Sequence, residues 1–398
     1  MKRLLAAAAL ALAPLSSAAT ADPAWDAVLA RAKRQTVYWN AWGGDERTNA
    51  YIAWVGDALR KRYGVEVKQV KLTDTGEAVA RVVAEKAAGR DADGSVDLIW
   101  INGANFLSMK QNGLLYGPFV EKLPDSRYID TTNKPSNLVD FTTPVDGYES
   151  PWRLAQLVFI YDSAKVSTPP RSLAALTDWI DAHPGRFTYP DPNDFMGASF
   201  LKQILIDLAP DRARLAQPAD EAAFKAETTP LWAWCDRVKP SLWRKGEQYP
   251  ANEPALIQAL NDGEVDFALA FDPAEAAAAA KAGRLPVSVR VTTFADGTLG
   301  NTSFVAIPYN SSHKEAAMVV ADFLLDPATQ AYSQDIDHLG AYNVLDMAKL
   351  SPEQRKLFAD LPSDPALPRP DDLAPVLLEP HPSWMTMIAQ EWRRRYGQ

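Results

Sequence analysis

At 398 residues, 47% of them hydrophobic and 23% charged, the chain has the balance of a globular protein, which excludes a disordered, collagenous or membrane-embedded chain. Its 50 acidic residues outnumber its 41 basic ones and leave a net charge of −9, so the surface repels phosphate backbones and no nucleic-acid partner is expected. A single cysteine, Cys235, excludes an internal disulfide and argues against a thiolate metal site.

Met1-Lys2-Arg3 is a short positive region, Leu4 to Ala13 an apolar run, and Ala19-Thr20-Ala21 a small-residue site before Asp22. This is the pattern of a cleavable secretory signal over residues 1–21, cut after Ala21. The run is too short to cross a bilayer, which takes about 20 apolar residues. A periplasmic chain is expected.

Strand and helix patterns then alternate, predicting β-sheets covered by helices. Thr36 to Trp42 reads as a strand stopped by Gly43-Gly44, and Asn49 to Arg62 as a helix with Ile52, Val55 and Leu59 on one face. A strand from Val65 to Leu72 precedes a helix headed by an Asp74/Glu77 capping pair. Val96 to Ile101 is a third strand, leading through Asn102-Gly103-Ala104-Asn105-Phe106 into a short helix. A second set follows: strands at Leu157 to Tyr161, Arg186 to Tyr189 and Val265 to Phe271, and helices at Leu173 to Ala182, after Gly197, and at Ala255 to Leu260. Asp272-Pro273-Ala274-Glu275 predicts a capping box on an alanine-rich helix. Gly297 to Asn301 reads as a turn, Ser303 to Pro308 as a strand and Lys314 to Leu325 as a helix. Residues 362–382 carry seven prolines and predict an extended connection before an amphipathic segment, Trp384 to Tyr396.

No catalytic fingerprint survives: there is no G-x-S-x-G, H-E-x-x-H, phosphate-binding G-x-x-x-x-G-K-[ST] or dinucleotide G-x-G-x-x-G. The four histidines are scattered, and neither a metal site nor a cofactor is expected.

In parallel α/β sheets, ligands lie beyond the carboxyl ends of strands, where helix N-termini offer N–H groups. Those positions supply Trp42, Gly43, Asp74, Thr75, Asn102, Asn105 and Phe106 from the first set, and Asn193, Asp194, Phe195 and Asp272 from the second. Trp152 is placed on the chain crossing between them. Rings, amides and carboxylates together suit a small polar solute with a flat or cationic part. Asp74 and Asp272 are also helix caps, and Trp232, Trp234 and Trp243 read as packing.

Several stretches carry a resemblance. They are Val96-Asp97-Leu98-Ile99-Trp100-Ile101-Asn102-Gly103, Leu157 to Asp162 followed by Pro169-Pro170, Gly263-Glu264-Val265-Asp266, and Ala306-Ile307-Pro308 before Phe323-Leu324-Leu325-Asp326-Pro327. With the alternating pattern, they identify the chain as similar to periplasmic solute-binding proteins of ABC importers, in wording closest to the YnjB-type subgroup. The resemblance implies a two-lobe type II periplasmic binding protein fold, each lobe a mostly parallel sheet flanked by helices, with the ligand cleft between lobes. Residues 22–147 with 300–345 would form lobe 1, 148–299 lobe 2, and 346–398 a C-terminal extension. It further implies a monomer without catalysis that closes on a small-molecule solute and docks to an inner-membrane ABC permease. Iron-binding relatives use adjacent tyrosines and this chain has no Tyr-Tyr pair, whereas thiamine-binding relatives use Trp, Tyr and Asp, making a thiamine-like solute the expectation. The alternatives on residues alone are a secreted α/β hydrolase or glycan-active enzyme using a carboxylate pair, and a glycan-binding module without transport.

Overall fold

A computed structural model describes residues 23–397; the expected signal segment and its cleavage point lie outside them. Helix α1 (Pro23–Ala32) leads into strand β1 (Thr36–Trp42), α2 (Glu46–Tyr63), β2 (Glu66–Leu72), α3 (Gly76–Ala87), β3 (Leu98–Ile101) and α4 (Ala104–Gln111). β1 lies between β2 and β3 and runs parallel to both, with Val37 opposite Val67 and Trp39 opposite Leu98. Helix α2 starts three residues earlier than Asn49. The reason is that the Asp45 carboxylate accepts from the N–H groups of Arg47 and Thr48 and caps the first turn. It ends at Gly64, whose φ of 70° suits glycine. At the head of α3, Asp74 accepts from the Gly76 N–H while Glu77 accepts from the Asp74 N–H, so the expected capping pair forms.

A short hairpin of β4 (Val139–Asp140) and β5 (Thr143–Pro144) precedes β6 (Glu149–Gln156) and β7 (Val158–Asp162). Then come α5 (Leu173–Ala182), α6 (Phe195–Leu208), α7 (Glu221–Val238), α8 (Glu253–Asn261), β8 (Phe267–Ala270), α9 (Glu275–Lys281), β9 (Val289–Thr292) and β10 (Thr298–Ala306). The second sheet has the order β8-β7-β9, and here the expectation of a mostly parallel sheet is corrected: β7 is antiparallel to both neighbours. The segment 186–189 is buried but not a ladder strand. It makes one main-chain bond toward the β8 side, from Asp266 to Arg186, while Phe187 O is taken by Trp243 N.

The two halves are joined by β6 and β10, which pair antiparallel from Gly300 opposite Gln156 to Ala306 opposite Glu149. Of the expected turn at 297–301, residues 298–301 are instead the first part of β10, because Gly300 and Asn301 pair with β6 while Thr298 and Leu299 pair with a later short strand. The amino-terminal end of β6 (Glu149, Ser150 and Pro151) still pairs inside the first sheet, opposite Ala306, Val305 and Phe304. The chain therefore crosses between halves nearer 153–157 than 148. The register slips between Ser303 and Phe304, leaving Trp152 without an opposite residue, as in a β-bulge.

Beyond the crossing, α10 (Lys314–Leu325), α11 (Pro327–Gln334) and α12 (Pro352–Ala359) return to the first half. Then β11 (Val376–Leu377) pairs parallel to Thr298–Leu299, and α13 (Pro382–Tyr396) ends the chain. The extension is not an appendage. Trp384, Ile388 and Trp392 recur at helical spacing and are buried in the second core with Phe159, Phe200 and Phe267. The first core is built on Val37, Trp39, Trp152, Val319 and Leu324, with a satellite of Val82, Ile99 and Phe106 under α3 and α4.

Candidate binding cleft between the lobes

The carboxyl ends of β1, β2 and β3 bring three turns together on one edge of lobe 1. Trp42 is 43% exposed, and its ring folds over Gly44, where a Cβ would come within 2.3 Å of it. At Gly43 a Cβ would approach Lys71 Cβ to 2.7 Å, so tight packing explains that glycine. Its N–H donates to Leu72 O and its carbonyl accepts from Asn49. Thr75 donates to Trp100 O at 3.3 Å, tying the β2 turn to β3. Asn105 lies beside it, its Oδ1 3.8 Å from where a Gly76 Cβ would stand. The Asn102 amide donates to Thr302 O at 2.7 Å and to Asp140 at 3.2 Å, which fixes the β3 turn to the crossing strand and to the hairpin. Asp140 also accepts from the Gly103 N–H at 2.6 Å; burial pushes its pKa up to about 8 despite those bonds.

Lobe 2 meets the gap with helix N-termini. Asp194 caps α6 by accepting from Met196 N, and Phe195, 42% exposed, stands edge-on to Phe271 with centroids 5.0 Å apart. Asp272 accepts from Ala274 N at 2.9 Å. The expected capping box does not close, because α9 starts at Glu275 and the Glu275 carboxylate turns outward. It accepts from Arg47 of lobe 1 at 2.7 Å and from Arg284 at 3.0 Å. Burial raises the Glu275 pKa against the pull of those two cations, and it pushes Glu253 well above the carboxylate range, helped by Glu275 and Asp272. Arg47, held in turn by the Leu339 carbonyl, bridges the lobes.

Three expected site residues lie elsewhere. Trp152 is 0% exposed: it stacks on Tyr51 at 5.9 Å and 8°, and meets Trp39 and Trp100 edge-on at 6.0 and 5.3 Å. The bulge turns it into the lobe 1 core. Phe106 is likewise buried, under α4. Asn193 spends its amide on Asp191 and accepts from Arg393 of α13, so it serves the loop and the terminal helix.

Sequence reasoning missed Arg153. One residue past the bulge, its guanidinium lies 4.7 Å over the Trp100 ring and 5.0 Å over Trp152, and its Nε donates to Ser303 Oγ at 3.5 Å. Burial lowers its pKa, with Asp272 and Asp45 opposing and Arg47 adding to the fall. Its charged neighbours come from both lobes, Asp45 and Arg47 from the first and Asp272 from the second. Regular alternation through Pro151-Trp152-Arg153-Leu154 would set the arginine opposite the core tryptophan; the bulge, which the sequence does not announce, brings its guanidinium to the Trp152 ring instead.

Two lobes on a pair of crossing strands, with strand ends and helix starts facing one gap, define a hinged solute-binding protein. A profile of the bacterial extracellular solute-binding protein family matches residues 54–354, and the chain belongs to that family. It is 42% identical to Protein YnjB of Escherichia coli (strain K12) over 388 residues, 98% of either chain. Among solved structures, it resembles the spermidine/putrescine substrate-binding protein PotD of Streptococcus pneumoniae at 13% identity and TM-score 0.59, covering 90% of this chain and 99% of that one. It also resembles the periplasmic binding protein AfuA of Actinobacillus pleuropneumoniae, solved with fructose-6-phosphate, at 13% identity and TM-score 0.58, covering 91% and 98%. By family the chain is a solute-binding protein and not an enzyme. Among the described residues, no helix is long and apolar enough to cross a membrane.

Proposed function

We propose that the chain works in the periplasm as a monomer, captures one small polar solute in the gap between its lobes, and hands it unchanged to an inner-membrane ABC permease. The observation that carries this reading is the Arg47–Glu275 contact, an ion pair of 2.7 Å between lobe 1 and lobe 2 at the mouth of the gap. A hinged protein gains such cross-lobe contacts only when the halves approach, so closure on a solute is a population shift toward the bridged form. Trp42 and Phe195 supply exposed ring faces for a flat or cationic part of the solute, as in a thiamine-like molecule. Asp74, Thr75, Asn105, Asp194 and Asp272 supply polar edges around them.

The test is small-angle scattering combined with native mass spectrometry on protein taken gently from its own cell envelope. The expected result is a bound mass, lost on mild denaturation, and a radius of gyration that rises when the mass is removed. Solute-loaded and stripped protein with equal radii would overturn closure. Chemical turnover of the bound molecule would overturn capture and favour the hydrolase reading.

A further inference from the structure

The charged groups around the gap are not alike in what they have left to offer. Asp45 is occupied by Arg47 N, Thr48 N and Thr48 Oγ1. Asp194 caps α6 and Asp272 holds the Ala274 N–H in the turn before α9, and Glu275 is shared by Arg47 and Arg284. Lys202, below Phe195, is 2.5 Å from Glu379. Each has a partner inside the protein.

Arg153 does not. Among the described residues no carboxylate comes within ion-pair distance of its guanidinium, and its one hydrogen bond, to Ser303 Oγ, is 3.5 Å long. Four of its five N–H donors are unspent. Asp272 and Asp45 act on it only from beyond contact; a half-buried arginine without a contacting counter-charge is costly, yet the stack on Trp100 and the seat on a paired strand hold it in one place. We infer that Arg153 is the anchor for an anionic group of the solute, a carboxylate or phosphate that enters between the lobes and takes the free fork of the guanidinium. The planar fork matches either oxyanion with two parallel bonds, and the Trp100 face orients it beforehand. This rests on the capture reading above and narrows it: a solute that is only a cation leaves Arg153 unanswered, whereas one with a flat or cationic part and an anionic end uses both the rings and the arginine.

The experiment is calorimetric titration of the stripped full chain with inorganic phosphate, with malonate, and with putrescine as the cationic control, at constant ionic strength. Wild type is compared with Arg153→Gln and Arg153→Lys, each first shown to unfold cooperatively. The expected result is binding of phosphate or malonate at the millimolar level of a single fragment contact. It should weaken about tenfold or more in R153Q and be partly kept in R153K, where the charge remains but the fork is lost. Which anion binds tells phosphate from carboxylate. Failure of both anions to bind wild type, equal binding by R153Q, or putrescine binding above both anions would overturn the inference. Scattering separates it from the broader reading. An R153Q chain that still compacts around the envelope-derived solute overturns the anionic anchor and keeps capture. Wild type that binds an anion through Arg153 yet never compacts around that solute keeps the anchor and overturns capture.

Discussion

Lobe 1 and lobe 2 face the same gap with different machinery. In lobe 1 the strands β2, β1 and β3 are parallel, so their carboxyl ends gather on one edge and the turns after them lie side by side. In lobe 2 the sheet is antiparallel and its strand ends alternate between edges. There the gap is met by the starts of α6, α8 and α9, with Asp194 and Asn252 bonding the first free N–H groups of α6 and α8 and Asp272 bonding Ala274 N in the turn before α9. The lesson is that Asp194, Asp272 and Glu275 of lobe 2 are committed to backbone N–H groups or to arginines before any ligand arrives. Its contribution is rigid and aromatic, while the uncommitted charge lies at the crossing.

If Trp152 belongs to the lobe 1 core, its replacement should act on folding. Trp152→Ala is expected to lower unfolding stability by about 3–5 kcal/mol, the cost of deleting a packed aromatic side chain, as read by urea denaturation. A fully stable variant with weakened solute binding would return Trp152 to the cleft. The next largest effect concerns the strap from the extension. Lys202 and Glu379 are both almost fully buried, and Glu379 also accepts from Asn301 on β10, so the extension is pinned where the lobes join. Lys202→Met strands a buried carboxylate and should cost about 3 kcal/mol. Replacing both partners by apolar residues should recover most of that loss. A single variant as stable as wild type would show that the strap is not ionic.

Much of this arrangement was legible in the sequence. Helices at 173–182 and 314–325 match their apolar spacing to the residue, because capping and periodicity are local. Trp42, Asp194, Phe195 and Asp272 were placed at element ends and lie there. What was not legible depends on partners far along the chain. The 297–301 segment carries Gly and Asn and reads as a turn until β6 and β11 pair with it. Glu275 fits a capping box until Arg47, 228 positions away, takes its carboxylate. The direction of Trp152 depends on a one-residue slip opposite Ser303. The amphipathic stripe of α13 announces burial but not against which lobe.

The smallest expected effect sharpens the comparison most, because it separates stability from conformation. Arg47 pairs with Glu275 at the start of α9, just as Asp337 of lobe 1 pairs with Lys281 at its end, and the Arg47 pair is partly open to solvent. Such a pair contributes up to about 1 kcal/mol, so Arg47→Ala should leave the unfolding midpoint nearly unchanged. The same energy acts differently on a hinge. A change of about 1 kcal/mol moves an open-to-closed ratio roughly fivefold, enough for scattering to detect in the stripped protein as a larger radius of gyration. High salt should move wild type in the same direction, since screening at 1 M reaches about 3 Å, and should move the variant little. Equal radii for wild type and variant at low salt would mean that the bridge only decorates a geometry set by β6, β10 and the extension, and that closure is governed at the crossing rather than at the mouth.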